Sequence, residues 1–162
     1  MATASRIAVM SRGRVVQVGA PAEIYERPSC RFVADFIGGV NLFEGRVSEV
    51  RAGTLVVDCP ELGLRLAVAE ACAPLGMAVA VAVRPERIEL SAAPSATPNR
   101  MSGTVTEVSY RGEASSVNVA LANGRIVRVT LPNTGRTGGP RVTGGDAVWL
   151  GWAVDAGVLL TS

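Results

Sequence analysis

With 162 residues the chain has the size of one domain, or of one domain with an appendage. Hydrophobic residues at 48% and charged residues at 19% exclude a disordered polymer, and 16 basic against 14 acidic residues, spread along the chain, predict no strong field for nucleic acid or a membrane surface. Every basic residue is an arginine; without lysine or histidine the chain cannot supply a phosphate-loop lysine, a triad imidazole or a Schiff-base amine.

The first predicted elements are two β-rich runs, residues 6–10 and 14–18, joined by Ser11-Arg12-Gly13 as a hairpin. Pro21 then suits the first position of a helix of about two turns that Pro28 stops. Ser29 offers an N-cap for a second helix, with Phe32, Val33, Phe36 and Ile37 as one apolar face and Gly38-Gly39 as its end. From Leu42 on, helical periodicity gives way to short alternating runs at 43–50, 54–59, 63–69, 77–84 and 87–90. A small-residue, proline-bearing linker is expected at 91–99, followed by strands at 102–110, 115–121, 125–131, 146–152 and 158–161. Short strands at this spacing predict a barrel or sandwich.

An internal repeat sharpens the prediction. Glu44-Gly45-Arg46-Val47-Ser48-Glu49-Val50 matches Ser102-Gly103-Thr104-Val105-Thr106-Glu107-Val108 at an offset of 58, and Gly76–Val81 matches Gly145–Leu150 at an offset of 69. The difference places an insertion in the glycine-rich stretch 134–145. The expected fold is therefore mainly β: a duplicated OB-like β-barrel of two five-stranded lobes, about 41–90 and 101–162, that share a core or exchange strands, preceded by a hairpin and two short helices in residues 1–40.

The three cysteines, Cys30, Cys59 and Cys72, show no metal spacing and are read as small buried apolar side chains in a reducing compartment. The apolar run 77–83 is shorter than the ~20 residues that cross a bilayer, and the N-terminus has no signal-peptide pattern. The expectation is a cytoplasmic chain without direct membrane insertion.

Several side chains are candidates for chemistry or contact. Arg84 and Glu86 flank Pro85 at a strand end, where they read as a subunit contact, a ligand site or a salt-bridged corner. Arg111, Arg125, Arg128, Arg136 and Arg141, with Asn133 and the glycines of 135–139, could hold an oxyanion or form a solvated loop. Glu49 and Glu107 occupy equivalent repeat positions, which duplication explains without catalysis. Aromatics are only 4%, and Trp149 and Trp152 lie in opposite alternation phases, so no stacking platform for nucleic acid is expected.

The run from Arg6 to Pro28, with Arg-Ile-Ala-Val-Met, Gly13-Arg-Val-Val-Gln-Val-Gly and Pro21-Ala-Glu-Ile-Tyr, resembles the last stretch of the nucleotide-binding domain of ABC importer ATPases. Arg31–Gly38 resembles the helix leading out of that domain, Asn41-Leu-Phe-Glu-Gly the start of its C-terminal TOBE domain, and Val83-Arg-Pro-Glu that domain's characteristic segment. Gly103-x-Val105, Tyr110-x-Gly112 and Val148-x-Leu150-x-Trp152 are most similar to the spermidine/putrescine and iron(III) types. The resemblance implies a tail of the nucleotide-binding domain at 1–40 and a TOBE domain at 41–162. It implies a part of a longer protein, since the family's phosphate loop, signature motif, catalytic glutamate and switch histidine lie upstream of Arg6. No catalytic, cofactor or metal residue is thus expected here, with ATP and Mg belonging to the intact parent. The implied function is a regulatory and dimerisation domain, with permease partners reached through the ATPase core and the assembly peripheral to the inner membrane; the alternative is a sensor of an oxyanion or polyamine. Asn41, Arg84, Glu86, Asn133 and Arg136 are the expected interface or ligand contacts.

Overall fold

A computed structural model describes residues 4–69, 71–133 and 141–162. The chain opens with the hairpin β1 (Ile7–Ser11) and β2 (Arg14–Gly19), turned by Arg12 and Gly13, both at positive φ (49° and 74°). Two successive left-handed residues match the twist of a tight hairpin. Val9 and Ile7 face inward, and the bulge between Val9 and Met10 leaves Ala8, Met10, Val15 and Val18 on the outer face. Helices α1 (Pro21–Glu26) and α2 (Arg31–Ile37) follow, and Val9, Ile24 and Val33 form a small core beneath the hairpin.

Two expectations for α2 need correction. Its N-cap is Cys30, with no side-chain bond, while the Ser29 N–H donates instead to Gln17 Oε1 at 2.8 Å. Phe32 and Phe36 do not share the buried face; they stack on each other at 5.7 Å on the outside, and Val33 and Ala34 are buried. The helix meets a partner on the side of Ala34, where small side chains allow close approach to the barrel and a phenyl ring would not fit.

The β-rich remainder contains β3 (Asn41–Arg51), β4 (Thr54–Cys59), β5 (Leu64–Ala69), β6 (Ala78–Val83), β7 (Glu89–Ser91), β8 (Asn99–Arg111), β9 (Ala114–Ala120), β10 (Ile126–Pro132), β11 (Ala147–Trp152) and β12 (Gly157–Leu160). They form two five-stranded antiparallel sheets, ordered β12-β6-β3-β4-β5 and β10-β9-β8-β11-β7. The sequence repeat is a structural one. Bulges fall between Val47 and Glu49 in one lobe and between Val105 and Glu107 in the other. Val47 exchanges backbone bonds with Gly76 and Met77, as Val105 does with Gly145 and Asp146. Gly45 and Gly103 sit where strands cross closely: a β-carbon would lie 2.4 Å from the Asp58 carbonyl oxygen and 2.8 Å from that of Ala120. Only glycine permits that curvature at a barrel corner.

The lobes exchange their last strands. β7 follows the first lobe in the chain but pairs with β11, and β12 follows the second but pairs with β6. The registers are equivalent: Gly151 faces Glu89 as Ala82 faces Val158. Each lobe therefore lends a strand to the other. Expectation placed Asn99 in the linker; it is instead the first residue of β8 and is 1% exposed.

The repeat also places Asn41 and Asn99 at matching positions, and their side chains work reciprocally. The Asn41 amide donates to the Arg128 carbonyl on β10 and accepts from its N–H, both at 2.8 Å. The Asn99 amide donates to the Ala67 carbonyl on β5 at 2.9 Å and accepts from its N–H at 2.7 Å. Each side chain thus supplies an edge strand of the opposite lobe with the bonds a neighbouring strand would give, at about 1 kcal/mol per bond. One continuous apolar core runs through both lobes, with Phe43 and Trp152 stacked at 5.4 Å near its centre.

Of the cysteines, only Cys59 is buried, and burial pushes its thiol up to about 11. Cys30 is half-buried and Cys72 is exposed, because neither lies on an inward strand position. Among the described residues no helix is long and apolar enough to cross a membrane.

Candidate functional site: the Arg84 junction

α1 and α2 are short and carry no basic residue in their last turns, so their C-terminal carbonyls lack partners within the helices. The barrel supplies one. β6 ends at Val83, and Arg84 leads into the 3-10 turn Pro85–Arg87. The Arg84 guanidinium, on a residue only 8% exposed, points back at both helices. It donates to the Ala34 carbonyl at 3.1 Å and to that of Gly38 through one nitrogen, and to the Tyr25 carbonyl at 2.9 Å through the other. It also lies over the Tyr25 ring, 4.2 Å from the centroid. One planar cation therefore caps two helix C-termini and stacks on an aromatic face, which suits a guanidinium and not an ammonium.

Tyr25 closes the junction from the other side, its hydroxyl donating to Glu86 Oε1. Burial and that carboxylate hold the phenol above its usual range, and burial pushes the Arg84 guanidinium below its usual range. The salt-bridged corner expected of Arg84 and Glu86 is not found: the arginine has turned to carbonyls and the glutamate to a phenol. The helix α2 is fixed further by the Arg31 N–H on the Ser162 carbonyl at 2.9 Å, by Ala34 packed with Ala80, Ala82 and Leu160, and by the Arg31–Glu44 pair at 2.7 Å. Residues 4–40 thus dock on the barrel. Beside the junction lies a cleft of about 590 Å³ whose walls include Tyr25, Glu26, Arg84, Arg87 and Asp155.

The other expected contacts do not join this site. Asn41 is spent on β10, although Gly39 brings the start of β3 against Arg128, whose guanidinium lies 2.9 Å from where a glycine β-carbon would stand. Asn133 closes the β8–β9 hairpin, donating to the Gly112 carbonyl at 2.7 Å and accepting from Ser115 Oγ at 2.5 Å. Arg136 and the glycines of 135–139 lie outside the described residues. Arg125 pairs with Glu61 at 3.4 Å and sits over Phe43, away from Asn133's hairpin. Glu49 pairs with Arg65, and Glu107 accepts from Asn118, so each is held within its own lobe. Sequence reasoning missed Tyr25 and Asn99. The offset of 58 from Asn41 was a sufficient signal for Asn99; no local pattern marks Tyr25 as the partner of a residue 59 positions on.

Residues 81–160 match the model of the TOBE domain. The putrescine transport ATP-binding protein PotG of Escherichia coli is 43% identical over 99% of this chain and 43% of its own length. Spermidine/putrescine import ATP-binding proteins PotA are 41% identical in a Nostoc species, over 83% of this chain and 36% of theirs, and 40% identical in Pseudomonas aeruginosa, over 99% and 45%. The chain spans less than half the length of these curated relatives. Among solved structures, the cytoplasmic molybdate-binding protein ModG superposes with a TM-score of 0.60 at 18% identity, over 84% of this chain and 99% of that one, a likeness of fold. The chain thus carries a TOBE match over residues 81–160 and is similar along almost its whole length to part of ATP-binding proteins of spermidine/putrescine importers.

Proposed function

We propose that this chain is the regulatory and dimerisation part of an importer's ATP-binding subunit, of polyamine type, and that it holds and couples rather than hydrolyses nucleotide. The observation that carries the proposal is the two-sidedness of residues 4–40. Their inner side is fastened to the barrel through Arg84, whereas their outer side presents Met10 at 55%, Val15 at 57% and Phe36 at 65% exposure. An apolar face of this kind calls for cover, and the remainder of a PotG-like subunit is the cover it fits. Displacements of that remainder would then reach the barrel through α1, α2 and Arg84. In this reading ATP and Mg bind the remainder, permease subunits meet it, and the assembly lies at the cytoplasmic side of the inner membrane.

Pairing of subunits would occur through the barrels, where association buries apolar area without chemistry. Sedimentation velocity of the chain at micromolar concentration is expected to show a homodimer, with no ATP turnover in the same sample. A strict monomer removes the dimerisation role, and turnover removes the holding role. A second reading, sensing of an oxyanion or polyamine, is favoured by the junction cleft, because a ligand there would touch both the helices and the barrel.

A further inference from the structure

The two lobes differ sharply in side-chain size at one pair of equivalent positions. Ala80 on β6 corresponds to Trp149 on β11 at the repeat offset of 69. In the first lobe the small Ala80 is fully buried beneath Ala34, and α2 covers that outer face. In the second lobe the indole takes the space a helix would need. The linker lies two residues further along the strand, with Ser95 and Thr97 so close to Gly151 that a β-carbon there would lie 2.4 Å from Thr97 Oγ1. Beside the indole a cleft of about 480 Å³ remains between the lobes.

Its floor is apolar, made by Leu62, Leu64, Met101 and Leu121 beside the half-buried Trp149. Its size and its few polar groups are those of a small-molecule site. The charges in its wall are not balanced. Glu61 is engaged by Arg125 at 3.4 Å, and Arg65 by Glu49 at 3.1 Å. Arg100 is exposed, reaches only the Ser95 carbonyl at 3.2 Å, and pairs with no carboxylate among the described residues. A flat apolar surface beside an uncommitted guanidinium recognises a planar body bearing an anionic group.

We propose that the Trp149 cleft binds a small anion with a flat apolar body, of the aromatic carboxylate or sulfonate class, its ring against the indole and its charge on Arg100. This site is separate from the Arg84 junction and does not depend on the function proposed for it.

The probe is 1-anilinonaphthalene-8-sulfonate, titrated into the whole chain and read by energy transfer from tryptophan; the only two tryptophans, Trp149 and Trp152, lie in the barrel. Saturable one-site binding is expected. Arg100→Glu should weaken it about tenfold or more, the loss of a charge-assisted bond. Arg100→Gln should weaken it in the same direction, and it decides the question if circular dichroism shows the glutamate variant unfolded. Phe36→Ser, on the exposed face of α2, should leave binding unchanged, and the uncharged N-phenyl-1-naphthylamine should bind the parent chain about tenfold more weakly. Unchanged affinity in the foldable Arg100 variant, loss of the signal in Phe36→Ser, or equal affinity for the uncharged probe would each overturn the proposal.

Discussion

Arg84→Ala is expected to cost about 3 kcal/mol of stability and to free residues 4–40 from the barrel. Three carbonyls, the buried one of Ala34 and the half-buried ones of Tyr25 and Gly38, lose their shared donor at once, and Tyr25 loses the cation over its ring. Two of these carbonyls lie at or next to the ends of helices too short to hold themselves. Arg84→Lys should recover only part of the loss, because an ammonium cannot spread planar donors over two helix ends while stacking on the ring. Urea denaturation gives the free energy, and trypsin digestion gives the location: cleavage after Arg31 should accelerate, while sites within the strands stay protected. Equal stability and equal digestion in parent and variant would show that the junction does not hold the helices.

Trp152→Ala should be still more damaging, about 4 kcal/mol, the range for emptying a large aromatic site. Trp152 is 1% exposed on β11 and stacks at 5.4 Å on Phe43, which belongs to β3 of the other lobe. Removal therefore empties the space between the lobes rather than within one of them, and calorimetry should show the whole transition moving down as a single peak. Trp152→Phe should cost much less. Among the described residues the buried indole N–H has no hydrogen-bond partner, so its removal offsets part of the volume lost. A phenylalanine variant as unstable as the alanine variant would show that the indole has a polar role.

The architecture was largely legible because its signals are local. Alternation located strands to within a few residues, and glycines at fixed spacing marked the repeat, since Gly45 and Gly103 stand where another strand's carbonyl leaves no room. Trp149 and Trp152, in opposite alternation phases, are half-buried and fully buried respectively. What could not be read is long-range. β7 and β12 are short apolar strands that would complete either sheet, and only the pairing of Leu90 with Leu150 and of Leu159 with Val81 settles which. Arg84 looked like one half of a local ion pair because Glu86 is two residues away; its true partners are 46 to 59 residues earlier. The aromatic spacing of α2 suggested a core, but Phe32 and Phe36 turn outward because Ala34 is the residue small enough to meet Ala80 and Ala82. The expected oxyanion loop centred on Arg136 and its glycines falls outside the described residues, and Asn133 beside it is engaged with its own hairpin.

The exchange of last strands makes the two lobes one mechanical body, and on that rests the idea that a pull on α2 is felt throughout the barrel. Native-state hydrogen exchange tests it directly. The amides of β12 bonded to β6 and those of β7 bonded to β11 should exchange only through global unfolding, with the same free energy as the core amides around Val81 and Leu150. If β12 exchanges freely while β6 stays protected, or if the two sheets open at separate free energies, the lobes are independent and the coupling account fails.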